Sequence, residues 1–193
     1  SDQLLRKGGL QPGDALVLTK PIGTGTLFAA DMRQRAKGRW IDGAIRAMLQ
    51  SNQDAAECLR AHGASACTDV TGFGLLGHLI EMTRAAGVDA EITMDAIPIL
   101  DGARETVAAG ILSSLQPQNL RLRRAVRDLE RVSRLPIYPL MFDPQTAGGL
   151  LAGVPQASAE ASVASLHARG YEHAAIIGRV SARSDAAEPI LLV

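Results

Sequence analysis

The chain has 193 residues, of which 47% are hydrophobic, and its 20 Lys and Arg balance 20 Asp and Glu. That is enough apolar material for one domain with a real core, and zero net charge argues against a sequence-independent nucleic-acid binder, which draws its affinity from excess basic residues. No apolar run is long enough to span a membrane and the start does not resemble a signal peptide, so a cytoplasmic location is expected; Cys58 and Cys67 are too few for a disulfide scaffold and lack zinc-site spacing.

Ala15–Lys20 reads as a buried strand that runs into the turn Pro21-Ile22-Gly23-Thr24-Gly25. Ile41, Ala44, Ile45, Met48 and Leu49 form one stripe of a helix, and a second helix is expected over Gln53–His62. A short strand at Ala66–Asp69 precedes a helix through Leu75, Leu76, Leu79, Ile80 and Met82, apolar over so much of its girth that deep packing is expected. Ala90–Met94 alternates like a strand. Asp101–Ala109 reads as helical with Gly110 as its C-terminal cap. Leu122, Ala125, Val126 and Leu129 make another helical stripe, with Asn119 as a candidate cap. Strands follow at Tyr138–Phe142 and Leu150–Val154, then a helix at Ala159–Arg169, and strands at Ala174–Val180 and Ile190–Val193. The turns of the last third are too short for helical crossovers, so the pattern predicts an α+β fold with a mixed, largely antiparallel sheet packed by helices.

The stretch from Ala66 to His78 carries the most chemical information. A strand delivers Asp69 onto the turn Val70-Thr71-Gly72-Phe73-Gly74, which opens a helix. The first N–H groups of a helix are unpaired and its dipole favours an anion, while glycines admit a phosphate close to the backbone. Asp69 is the hard oxygen ligand that Mg²⁺ takes when it is shared with phosphates. The structural alternative is an ordinary strand-to-helix turn in which Asp69 or Thr71 caps the helix.

Other readings are weaker. Gly23-Thr24-Gly25 has Phe28 where a dinucleotide fingerprint needs its third glycine, and no GxxxxGK[ST] phosphate loop occurs. The arginines Arg121, Arg123, Arg124, Arg127, Arg131 and Arg134, interspersed with Asp128 and Glu130, read as the solvated face of a helix. His78 sits one turn into its helix, close enough to support the site, although a structural role is preferred for a lone histidine. Cys67 shares a strand face with Asp69 but reads as a small buried hydrophobe. Lys20 either reaches a phosphate or lies on the surface.

Three segments together resemble one family. Lys20-Pro21-Ile22-Gly23-Thr24-Gly25, then Ala66–His78, then Asp143–Leu151 match, in order and at comparable spacing, the C-terminal half of selenophosphate synthetase (selenide, water dikinase), a member of the aminoimidazole ribonucleotide synthetase superfamily. The likeness runs from about Leu4 to Val180. It implies the C-terminal domain type of that superfamily, and a parent protein that uses ATP, Mg²⁺ and selenide to make selenophosphate, AMP and phosphate. In that scheme Asp69 binds the metal, Thr71, Gly72 and Gly74 shape the turn, and Gly148 and Gly149 allow close backbone approach on another side. The family's reactive cysteine or selenocysteine, its lysine and further metal-binding aspartates belong to an N-terminal ATP-binding domain. That domain is the expected partner, the intact protein is expected to be a homodimer, and this chain alone is expected to be inactive, with no catalytic residue of its own. Ala147 stands where the family often has serine. Alternatives are a non-catalytic module fused to a flavin/NAD oxidoreductase, or another superfamily member such as a purine cyclo-ligase or a hydrogenase maturation factor.

Overall fold

A computed structural model of the chain describes residues 6–193, so Leu4, where the family likeness begins, lies outside the described residues. Six strands form one sheet in the order β2-β4-β1-β5-β3-β6. They are β1 (Asp14–Leu18), β2 (Ala66–Asp69), β3 (Val88–Ile92), β4 (Leu150–Pro155), β5 (Ala175–Ala182) and β6 (Ile190–Leu192). Every pairing is antiparallel except β3 with β6, which makes the sheet mixed and largely antiparallel, as the sequence pattern predicts.

Alternation along β1 splits the core in two. Leu16 and Leu18 face a large cluster that includes Leu75, Leu76, Leu79, Met82 and Phe142, whereas Val17 faces a smaller one with Leu59, Ala152, Val154 and Leu166. Helix α4 (Gly74–Ala86) covers the first face, and α3 (Gln53–Ala61) with α8 (Gln156–Ala168) covers the second. Helix α4 is buried almost throughout its first three turns, as its apolar girth predicts, and it ends on Gly87 in the left-handed conformation.

Four sequence expectations need correction. Tyr138–Phe142 is a 3₁₀ helix rather than a strand, because Pro139 has no N–H for a ladder and its fixed φ suits a tight turn. The stripe from Leu122 to Leu129 is not one helix: a 3₁₀ segment over Leu120–Ala125 breaks at Val126, which bridges to Ile190, and Asp128 turns to φ 49° before α7 (Leu129–Val132). Tertiary pairing overrides the periodicity there, since Arg127 donates its N–H to Ile190 O and its side chain to Asp89 and Glu188 O. The arginine run is therefore partly structural, although Arg121, Arg123, Arg124, Arg131 and Arg134 are exposed as expected. Finally, α2 (Gly38–Leu49) buries Trp40 and Ala44 and leaves Ile45 and Leu49 exposed, so the face that packs is rotated from the one the apolar stripe marks.

Helix α1 (Thr24–Met32) was not legible as a helix. Its beginning is held from far along the chain. Gln145 Oε1 accepts from the N–H groups of Gly23 (2.9 Å) and Thr24 (3.2 Å), and Asp143 Oδ2 accepts from Gly25 N–H (3.0 Å). These bonds use up the Gly23-Thr24-Gly25 donors internally, which removes that turn as a phosphate loop.

Candidate functional site

The three glycine-bearing segments converge at one end of β1, β2 and β4. Asp69 is the last residue of β2 and pairs in register with Leu150, the first of β4. Its side chain is exposed and makes no hydrogen bond or ion pair among the described residues. A carboxylate left unengaged beside a glycine turn has its oxygens available to a ligand.

The turn that follows is held on every side. Val70 N–H donates to Gly149 O (2.8 Å), and Thr71 O accepts from both Gly74 N–H (3.0 Å) and Gln145 N–H (3.1 Å). Gly72 O accepts from Asn119 Nδ2 (2.8 Å), which also donates to Phe142 O (3.1 Å). Asn119 is therefore not a helix cap. It ties the turn after β2 to the segment before β4, a role that nothing in its local sequence signals.

Gly74 opens α4 with φ 72°, and a Cβ there would lie 2.9 Å from the Phe142 backbone, so both conformation and space demand glycine. Gly72 differs, because a Cβ on it would meet nothing within 4 Å. Its place in the turn rests on its carbonyl alone. The capping alternative for Asp69 and Thr71 is not realised: Phe73 is the residue at the cap and no side chain bonds the start of α4.

His78 supports the turn, as its position suggests. Thr71 N–H donates to His78 Nε2 at 3.1 Å, which leaves the ring proton on Nδ1, 3.5 Å from Glu81 Oε2. Burial pushes the imidazole below its ordinary pKa, against the raising influence of Glu81, so the ring is held neutral as an acceptor. Cys67 is buried against the α3 and α8 face, in agreement with its packing role. Burial, with help from the Asp69 charge, pushes its thiol up to about 12, which removes it as a nucleophile at neutral pH.

On the far side of the turn lies the segment from Asp143 to Gly149. A Cβ on Gly148 would meet Val70 O at 2.2 Å, and one on Gly149 would meet Lys20 N at 2.6 Å. The close approach these glycines permit is thus, on their packed side, to the chain's own backbone. Lys20 is buried rather than on the surface, with its Nζ donating to Gln50 O (2.5 Å) and Ala147 O (3.2 Å). Asp143 is buried with one oxygen unpartnered, and burial raises its pKa to about 7 even though Gln145 and the Gly25 and Thr26 N–H groups stabilise its anion. Asn119 and the Asp143–Gln145 pair were missed as determinants of the site, and Lys20 was weighed only as a phosphate contact or a surface residue; the available signal was polar residues set within otherwise apolar, turn-bounded runs.

No group of three or more His, Cys, Asp or Glu side chains that could hold a metal occurs among the described residues. Asp69 is thus not part of a metal-ligand cluster formed by the described residues alone. No helix among the described residues is long and apolar enough to cross a membrane.

Comparison with known proteins agrees with this geometry. Residues 11–188 match the family model described as AIR synthase related protein, C-terminal domain. The chain is 38% identical over 184 residues to selenide, water dikinase 2 of Peptoclostridium acidaminophilum, a match covering 95% of this chain and 53% of that protein. The chain spans about half the length of the curated relatives it matches. Among solved structures, hydrogenase maturation protein HypE superposes with a TM-score of 0.72 at 19% identity, covering 100% of this chain and 53% of the other. A second structure of a HypE protein, in complex with ATP, gives a TM-score of 0.64 at 17% identity over 100% of this chain and 50% of that one. At such identities the likeness is one of fold. The matched residues, the sheet and the converging glycine turns together make the chain a member of the AIR synthase related protein C-terminal domain family.

Proposed function

We propose that the chain is the C-terminal domain of a selenophosphate synthase, which converts ATP, selenide and water to selenophosphate, AMP and phosphate, and that it supplies one side of the metal-phosphate site. The observation that carries this reading is the exposed, unengaged Asp69 carboxylate on a turn fixed by Gly74, His78 and Asn119. Relatives that bear the name selenide, water dikinase supply the reaction class. The donor fits Mg²⁺, which takes one or two protein carboxylates and fills its sphere with phosphate oxygens and water.

Asp69 would hold the ion, whose contribution when bound would be to neutralise charge that develops during phosphoryl transfer. The chain's own share is positional. Asp69 fixes where that charge sits, while the neutral His78 and the Asn119 amide hold the turn against movement. Phosphoryl transfer depends mainly on positioning and charge neutralisation, so a domain can contribute without a nucleophile. The nucleophile and most of the nucleotide contacts are assigned to the N-terminal domain of the same protein.

The test is Asp69→Asn in the intact protein that carries this chain. Metal-dependent ATP consumption is expected to fall about 10²-fold, the scale for loss of one electrostatic contributor to a transition state, with the melting temperature unchanged. A stable variant with full turnover would remove Asp69 from the site. The chain by itself is expected to show no selenide-dependent AMP formation.

A further inference from the structure

Lys20 poses a physical problem that the Asp69 turn does not answer. Its ammonium is buried, and among the described residues it has no carboxylate within ion-pair distance. Its partners are two carbonyls, and burial lowers its pKa. A buried cation without a counter-ion is costly, and so is a buried N–H without an acceptor.

The second kind of cost lies directly beside the first. Lys20 Nζ holds Ala147 O at 3.2 Å, and Asn52 Nδ2 holds Gly148 O at 2.9 Å. Lys20 also grips Gln50 O, two residues before Asn52, so both carbonyls turn toward the same 50–52 link between α2 and α3. In a trans peptide the C=O and the next N–H point in opposite directions, and the described chain has no cis bond. The Gly148 and Gly149 N–H groups therefore face away from that link, side by side. Both residues are buried, yet neither N–H has an acceptor among the described residues. Ala147, at φ 48°, sets up the turn. Successive N–H groups aimed together form an anion-binding concavity.

We propose that the Gly148 and Gly149 N–H groups bind a phosphate-type oxyanion, with Lys20 and Asn52, which hold the Ala147 and Gly148 carbonyls from the opposite face, as positioning residues that keep the cradle in shape. An anion there would satisfy the two unmatched donors, while Lys20 fixes the carbonyl behind them. Gly149 O accepts from Val70 N–H at 2.8 Å, and Leu150 pairs with Asp69, so the cradle lies next to the metal carboxylate. The choice of phosphate over another oxyanion rests on the reading of Asp69 as a metal-phosphate ligand. Phosphate held here on one side and metal on the other would be fixed at two points.

The experiment titrates inorganic phosphate, tripolyphosphate and ADP separately into the metal-free, ¹⁵N-labelled chain. The expected result is saturable shifts that include the Gly148 and Gly149 amides, with affinity falling roughly tenfold or more in Lys20→Met, as the Ala147 carbonyl is released and the N–H groups lose their alignment. Asp69→Asn should keep the Gly148 and Gly149 shifts and bind phosphate no more weakly than the wild type without metal, because a neighbouring negative charge is gone, so the cradle and the metal reading can fail separately. Equal response to phosphate and ADP would assign the cradle to a free phosphate, and response only to tripolyphosphate and ADP would assign it to a nucleotide chain. Absence of saturation, shifts confined to other amides, or a folded Lys20→Met variant with wild-type affinity would overturn the proposal. Should Lys20→Met fail to fold, the wild-type amide map and an Asn52→Ala variant still decide it.

Discussion

Asp89 on β3 and Asp143 ahead of β4 are both buried carboxylates, yet their surroundings drive them in opposite directions. Burial alone would raise Asp89, but bonds from the Ser184 hydroxyl and N–H and from Arg183 and Arg127 outweigh it and hold the carboxyl at about 2. Asp143 has amide donors and no cation, and burial takes it to about 7. Near the second carboxylate, across the same turns, Lys20 is buried with no anion beside it among the described residues. Charge is matched where β3, β5 and β6 are clamped together and left unmatched where the glycine turns meet. Matched charge marks a place built for stability, and unmatched charge marks one that waits for something from outside.

The largest effect should come from breaking the matched centre. Asp89→Ala leaves two guanidinium groups and Ser184 without their acceptor, and a loss of about 3–5 kcal/mol in denaturant unfolding is expected. The depressed pKa means this stability is present above about pH 4 and is lost as pH falls through about 2. A loss below 1 kcal/mol would erase the contrast between the two centres.

Asp143 carries the opposite sign. The unfolded chain releases this proton near the ordinary carboxylate value of 3.8 and the folded chain only near 7, so stability falls as pH rises through that window and is level above it. Asp143→Asn keeps an oxygen for the Gly25 and Gln145 donors and removes the charge. Its unfolding free energy should lack this fall, a difference from wild type of about 2–4 kcal/mol between pH 4 and pH 8. Parallel pH profiles for the two proteins would show that the carboxyl is not held protonated.

Next comes Asp69→Asn, for which the expected fall in turnover of the intact protein, about 10²-fold, would correspond to about 2.7 kcal/mol of transition-state stabilisation with no change in folding. The turn glycines then separate by geometry. Gly74→Ala forces a positive φ on a residue with a Cβ and presses it into Phe142, and should cost about 1–3 kcal/mol in thermal unfolding. Gly72→Ala meets open space and should stay within about 0.5 kcal/mol. Equal costs at the two positions would mean that the turn relaxes more freely than its bonds suggest.

The sheet was legible because strand alternation and short turns are local signals, and Ala66–Asp69 and Leu150–Val154 fall where the pattern puts them. Tyr138–Phe142 and the Leu122–Leu129 stripe misled for the same reason, since Pro139 and the pull of Asp89 on Arg127 override an apolar period. Asp69 stood out because a strand end and a glycine turn flank it. Lys20, Asn52 and Asn119 did not, because each acts on a carbonyl far along the chain: Lys20 on Ala147, Asn52 on Gly148 and Asn119 on Gly72. Such pairings exist only once the sheet has brought the turns together.

The pairing of Asp69 with Leu150 also bears on how the chain comes to its native state. Side chains alternate along β2, so a slip of one residue against β4 would turn Asp69 toward the apolar cluster and push Thr68 outward. A slipped chain can keep much of its sheet but presents no carboxylate at the turn. Any ligand that engages Asp69 then binds only the correctly registered form and adds its binding energy to that form alone. Substrate would act as an inspector of assembly, drawing misregistered chains back toward the one alignment it can hold.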